Sequence, residues 1–193
     1  LVNWEFVSHV YDKIEDTPGY QLQSGQNAYG QGMWAPCIRY HDGFFYVNFS
    51  VNDLHKTFLY KARNVEGPWE RQEIEGFYYD SSILFDDDGR VYIVHGNRNI
   101  WITELNEDLT APKEGGLRRN IVNDLPDINL GYEGSHIYKI RGKYYLFNIH
   151  WPKMRTESCF MADSLEGEFV GRDVLEDDMG YHNQGVAQGG IVD

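Results

Sequence analysis

Three residues of this chain share one address in a repeated pattern. Trp34, Asp80 and Glu133 each stand nine residues before a turn glycine, at Gly43, Gly89 and Gly142. Two carboxylates converging beside an aromatic wall could break a glycosidic bond. In that chemistry one carboxyl protonates the leaving oxygen and a second carboxylate serves as base or nucleophile, through a cation-like transition state. Acid and base must titrate over different pH ranges, which demands different surroundings. Glu133 lies between Tyr132 and Gly134 in an apolar, aromatic stretch, where partial desolvation would keep it protonated. Asp80 follows Phe77-Tyr78-Tyr79 and precedes Ser81 and Ser82. An indole at Trp34 could stack on the C–H face of a pyranose, with an energy comparable to the ~0.5–1.5 kcal/mol of an aromatic pair. Singly, each has a plainer reading: a loop carboxylate, a turn cap and a core side chain. Their equivalence in the repeat favours a shared site.

The elements that must position them follow from the same repeat. Each address opens a succession of small residues, an apolar strand, a glycine turn and an aromatic-rich strand. The second strands are Phe44–Phe49, Arg90–His95 and Lys143–Asn148. The turn glycines are 46 and 53 residues apart, close to the period of propeller blades. In a radially repeated fold, equivalent positions converge on the central axis. Many short strands broken by glycine turns, without sustained helical periodicity, give an all-β class. The blades are expected over roughly 34–75, 80–120 and 133–175. A further strand is expected at 1–7, an irregular connection up to residue 33, and a polar connection from Asn106 to Gly131. Gln188-Gly189-Gly190-Ile191-Val192-Asp193 aligns on Glu133-Gly134-Ser135-His136-Ile137-Tyr138 as the opening of another repeat. Three whole blades cannot close a ring. With the parts at either end, residues 1–193 read as an incomplete five-bladed β-propeller.

Composition narrows the partners. A net charge of −13 over 193 residues argues against nucleic acid, whose phosphates need clustered Lys and Arg. It argues equally against docking on an anionic membrane, and no apolar run approaches the ~20 residues of a spanning helix. Aromatic residues make up 15% of the chain, which suits both β-rich packing and a sugar-binding surface. Cys37 and Cys159 fall in different repeats and read as separate thiols. The run Asp86-Asp87-Asp88 lacks the spacing and the twelfth-position glutamate of a calcium loop, and reads as a solvated hairpin turn.

These stretches resemble glycoside hydrolase family 43, five-bladed propellers that act on xylosides, arabinosides and related glycans. The resemblance rests on Leu1-Val2-Asn3-Trp4-Glu5, Gly32-Met33-Trp34-Ala35-Pro36, and Asp80-Ser81-Ser82 with Phe85-Asp86-Asp87-Asp88-Gly89. Tyr132-Glu133-Gly134-Ser135-His136 and Gln188-Gly189-Gly190-Ile191-Val192-Asp193 complete it. It implies an inverting glycosidase of xylosidic or arabinofuranosidic linkages, with an oligosaccharide or polysaccharide as its substrate. By position, Glu133 matches the general acid, Asp80 the aspartate that orients that acid and adjusts its pKa, and Trp34 an aromatic wall of the sugar pocket. Gln188 and Arg155 are further candidates for contacting sugar. The family's general base, an aspartate of the first blade, would lie upstream of Leu1, so residues 1–193 alone are expected to be inactive.

Two departures stand out. Ser81 replaces the proline of the family's Asp-Pro-Ser motif, which should loosen the turn. Ala187 stands where many relatives carry a histidine associated with a central calcium, and His182 lies five residues earlier. No metal ligand is therefore assigned, and calcium stays open as the only cofactor. His41, His95 and His150 read as structural or surface groups. Fructan-cleaving propellers use Arg-Asp-Pro and Glu-Cys signatures, and neither occurs here. A carbohydrate-binding propeller without turnover remains the alternative. An interaction propeller of the WD-repeat or Kelch kind would carry repeat signatures that are missing.

Overall fold

The computed structural model describes residues 3–126, 128–180, 185 and 188–191. Of the positions invoked above, Leu1, Val2, His182, Ala187, Val192 and Asp193 lie outside the described residues. Every regular element among the described residues is a strand, and the strands form three four-stranded sheets. The first sheet holds β1 (Cys37–His41), β2 (Phe44–Val51), β3 (Lys56–Ala62) and β4 (Glu70–Ile74). The second holds β5 (Ser82–Phe85), β6 (Val91–His95), β7 (Ile100–Leu105) and β8 (Arg118–Val122). The third holds β9 (Leu130–Ile140), β10 (Lys143–Trp151), β11 (Thr156–Ala162) and β12 (Val170–Leu175). Each is an antiparallel meander in chain order, so these are three blades of a propeller.

The hairpins follow from turn chemistry. His41 pairs with Phe44 across Asp42-Gly43, and both turn residues take positive φ (46° and 78°). Arg141-Gly142 repeats this at 52° and 76°. Positive φ at both central residues matches the right-handed twist of the flanking strands, and glycine adopts it without a Cβ penalty.

Apolar faces of neighbouring blades bury one another. Leu59, Ile74, Ile83 and Ile93 join the first blade to the second. Tyr92, Ile102, Ile137 and Leu146 join the second to the third. Each such side chain contributes about 1.5–3 kcal/mol on burial. The innermost strands β1, β5 and β9 face one another around the axis. Arg39 crosses between them: its guanidinium donates to Ile83 O (3.1 Å) and Ile137 O (3.3 Å) and lies 4.6 Å from the Tyr138 ring centroid.

The structure corrects three expectations. Residues 3–7 form no strand. The connection from Asn106 to Gly131 contains β8, whose polar sequence Arg118-Arg119-Asn120 hides an outer strand paired only on one side. Asp86 is not a solvated turn residue. It is 3% exposed, accepts the Tyr144 hydroxyl at 2.5 Å and pairs with Lys139, so it ties the second blade to the third.

Candidate active site

Asp80 sits where the chain enters β5, and the residues before it are clamped from the first blade. The Ser50 hydroxyl donates to Tyr78 O (2.5 Å), and Thr57 Oγ1 accepts the Tyr78 amide (2.9 Å). On the other side Asn48 Nδ2 donates to Ser81 O (3.2 Å) and Ser81 Oγ (2.9 Å). Serine in place of proline therefore adds an anchor here, where a loosened turn was expected. Between the clamps Asp80 takes φ 45°, a left-handed conformation that the surroundings must hold in place.

Glu133 lies on β9 opposite Ile149, between two register shifts of the β9–β10 pair. A bulge of this kind re-aims a side chain out of the ladder. Gly134 follows with φ 66°, and a Cβ there would come within 3.0 Å of the Gln188 side chain. Asn148 Nδ2 holds the bulge by donating to Glu133 O (3.1 Å) and Ser135 Oγ (2.9 Å).

Two direct links join the carboxylate-bearing segments. Ser135 N–H donates to Asp80 O at 3.1 Å, and Ile137 N–H donates to Ser82 Oγ at 3.1 Å. Asp80 is 6% exposed and its Oδ1 has no hydrogen-bond partner among the described residues. Burial first, and then the negative charge of Glu133, push its carboxyl up to about 6. The Glu133 carboxyl is also raised, by burial, although hydrogen bonds from Asn97 and Tyr79 and the charge of Arg155 pull it back. The pair thus retains a proton at pH values where isolated carboxylates have lost theirs.

Two partners of Glu133 went unread in the sequence. Asn97 Nδ2 donates to Glu133 Oε2 at 2.7 Å, and the Tyr79 hydroxyl approaches the same oxygen at 3.5 Å. Tyr79 had a signal, being the residue before Asp80. Asn97 had none, because it lies on a loop of the second blade outside the repeated address. Burial and the two nearby carboxylates raise the Tyr79 phenol, which stays protonated and able to donate.

Of the other candidates, Trp34 is 37% exposed and packs on Tyr79, with ring centroids 5.3 Å apart and planes tilted by 52°. The two rings form one aromatic surface next to Glu133. Arg155 is half-buried, with its guanidinium 5.5 Å from the Trp151 ring centroid. It reaches Glu133 through its charge. Gln188 lies against Gly134, with Nε2 3.3 Å from His136 Nε2. His95 and His150 hold structure: His95 sits edge-on to Tyr78, and His150 bonds Asp173 at 2.8 Å. Burial holds His95 down to about 4 and His136 to about 4, so both are neutral near pH 7.

The family model for Glycosyl hydrolases family 43 matches residues 1–157. The chain belongs to this family. Among solved structures, a bifunctional GH43-CE protein of Bacteroides eggerthii superposes with a TM-score of 0.89 at 40% identity, covering 100% of this chain and 25% of that one. A beta-xylosidase of Formosa agariphila is 24% identical over 100% of this chain and 36% of its own length. A non-reducing end alpha-L-arabinofuranosidase of Bacteroides ovatus is 31% identical over 77% of this chain and 27% of its own length. The chain thus spans about a third of the curated relatives it matches. Between the inner strands the Arg39 guanidinium occupies the Ile83 and Ile137 carbonyls. No three His, Cys, Asp or Glu side chains converge among the described residues.

Proposed function

We propose that this family 43 chain carries the acid half of an inverting glycosidase that cleaves xylosidic or arabinofuranosidic linkages. Glu133 protonates the glycosidic oxygen. Asp80 holds the Glu133 segment by accepting the Ser135 amide, and burial helps keep the acid protonated. The Trp34–Tyr79 surface receives the sugar ring, while Gln188 and Arg155 approach its hydroxyls. The observation that supports this best is two mutually repelling carboxyls, one buried and one half-buried, on segments hydrogen-bonded to each other beside an open aromatic face. Perturbed carboxyls of this kind concentrate at reacting centres. The base acting from the opposite face is expected from the blade preceding Trp34's.

Proton NMR of the native protein acting on an aryl β-xylopyranoside, and in parallel on an aryl α-L-arabinofuranoside, tests the reading. The first anomer released should be inverted relative to the substrate. A retained first product contradicts the mechanism, and sugar binding without turnover replaces it with the binding-module reading.

A further inference from the structure

The turn Gly96-Asn97-Arg98 touches both carboxylate-bearing segments at equivalent points. Gly96 N–H donates to Tyr79 O (3.0 Å), the residue before Asp80, and Arg98 N–H donates to Tyr132 O (2.7 Å), the residue before Glu133. The Arg98 guanidinium adds Asp124 (2.7 Å), Ile128 O (3.3 Å) and Asn129 O (3.2 Å). Gly96 takes φ 140°, and a Cβ there would fall 2.2 Å from Asn99 O, so the turn has this path only with glycine. Asn97 is thus held on both sides with its amide nitrogen 2.7 Å from Glu133 Oε2.

We propose that Asn97 is a positioning residue that holds Glu133 by Oε2 and so makes Oε1 the oxygen that delivers the proton. This rests on Glu133 being the general acid. An amide N–H can only donate, and the Tyr79 hydroxyl approaches the same oxygen. A hydrogen on Oε2 would point at the Asn97 amide hydrogens, so the neutral carboxyl carries it on Oε1. The groups facing Glu133 are Tyr79 and Asp80 from the segment entering β5, and Arg155 from the segment entering β11. Glu157 on β11 lies beyond Ile149 in the same row of strand partners. Only Asn97 makes a short hydrogen bond to the acid's side chain among the described residues. Without it, Glu133 loses a donor that favours its ionised form and gains rotational freedom.

The test uses Asn97→Ala and the isosteric Asn97→Asp in the native protein, followed by kcat and by the pH dependence of kcat/KM on an alkyl xyloside. Asn97→Ala should lower kcat about tenfold and move the basic limb upward by about half a pH unit. Asn97→Asp, which replaces a donor by a second anion, should move that limb further upward. Should the alanine variant not fold, the aspartate variant carries the test alone. Limbs unmoved with kcat within twofold of the parent would overturn the proposal. Glu133→Gln run alongside separates the two claims. If it abolishes the basic limb while the Asn97 variants behave as the parent, only the Asn97 assignment fails. If it leaves alkyl-xyloside hydrolysis intact, the acid assignment fails and this one with it.

Discussion

The Asp80 carbonyl accepts the Ser135 amide at 3.1 Å, so the two carboxylate-bearing segments of neighbouring blades are bonded backbone to backbone. Asp80 and Glu133 are 53 residues apart in sequence. Their relative placement is set by this bond, by the Gly96–Arg98 turn and by the buried Ser82 hydroxyl that accepts the Ile137 amide. Rigid support of this kind is what positioned acid–base chemistry requires.

Asp80 should cost stability at neutral pH. Its carboxyl is raised in the fold from 3.8 to about 6. The stability associated with it is therefore complete below about pH 4 and is lost as pH rises through 6. A displacement of that size corresponds to about 3 kcal/mol at most, and the unpartnered amide hydrogens of an asparagine would offset part of it. Asp80→Asn is expected to stabilise the chain by about 1–2 kcal/mol at pH 8 and to have no such effect at pH 4. Urea unfolding at the two pH values reads this out, and equal effects at both would refute it.

Asp86 should be a joint between blades. Asn in its place keeps the shape but loses the charge that Lys139 and the Tyr144 hydroxyl share. Asp86→Asn is expected to destabilise the chain by about 1–3 kcal/mol, whereas Asp88→Asn on the exposed end of the same turn should change it by less than about 0.5 kcal/mol. Equal denaturant midpoints for the two variants would show that burial of Asp86 contributes nothing.

Much of the fold was legible because its signals are local. Glycine turns at Gly43 and Gly142 with aromatic second strands identify hairpins, and their recurrence identifies blades. Convergence of Trp34, Asp80 and Glu133 was legible for the same reason, since the repeat carries each to the inner end of its blade. Strand β8 escaped because an outer strand with exposed Arg118 has neither an apolar run nor clean alternation. Asp86 escaped because an acidic turn looks alike whether it faces solvent or a lysine on another blade. Asn97 escaped for a deeper reason: its partner is set by how two blades are oriented, and a single polar loop residue carries no trace of that.

The most direct measurement is the leaving-group dependence of Glu133→Gln. In the native protein this variant should lose about 10²–10⁴ in kcat on an alkyl xyloside, whose leaving oxygen needs a proton. An activated aryl xyloside such as the 2,4-dinitrophenyl derivative needs little protonation and should be affected far less. Equal losses on the two substrates would contradict Glu133 as the proton donor.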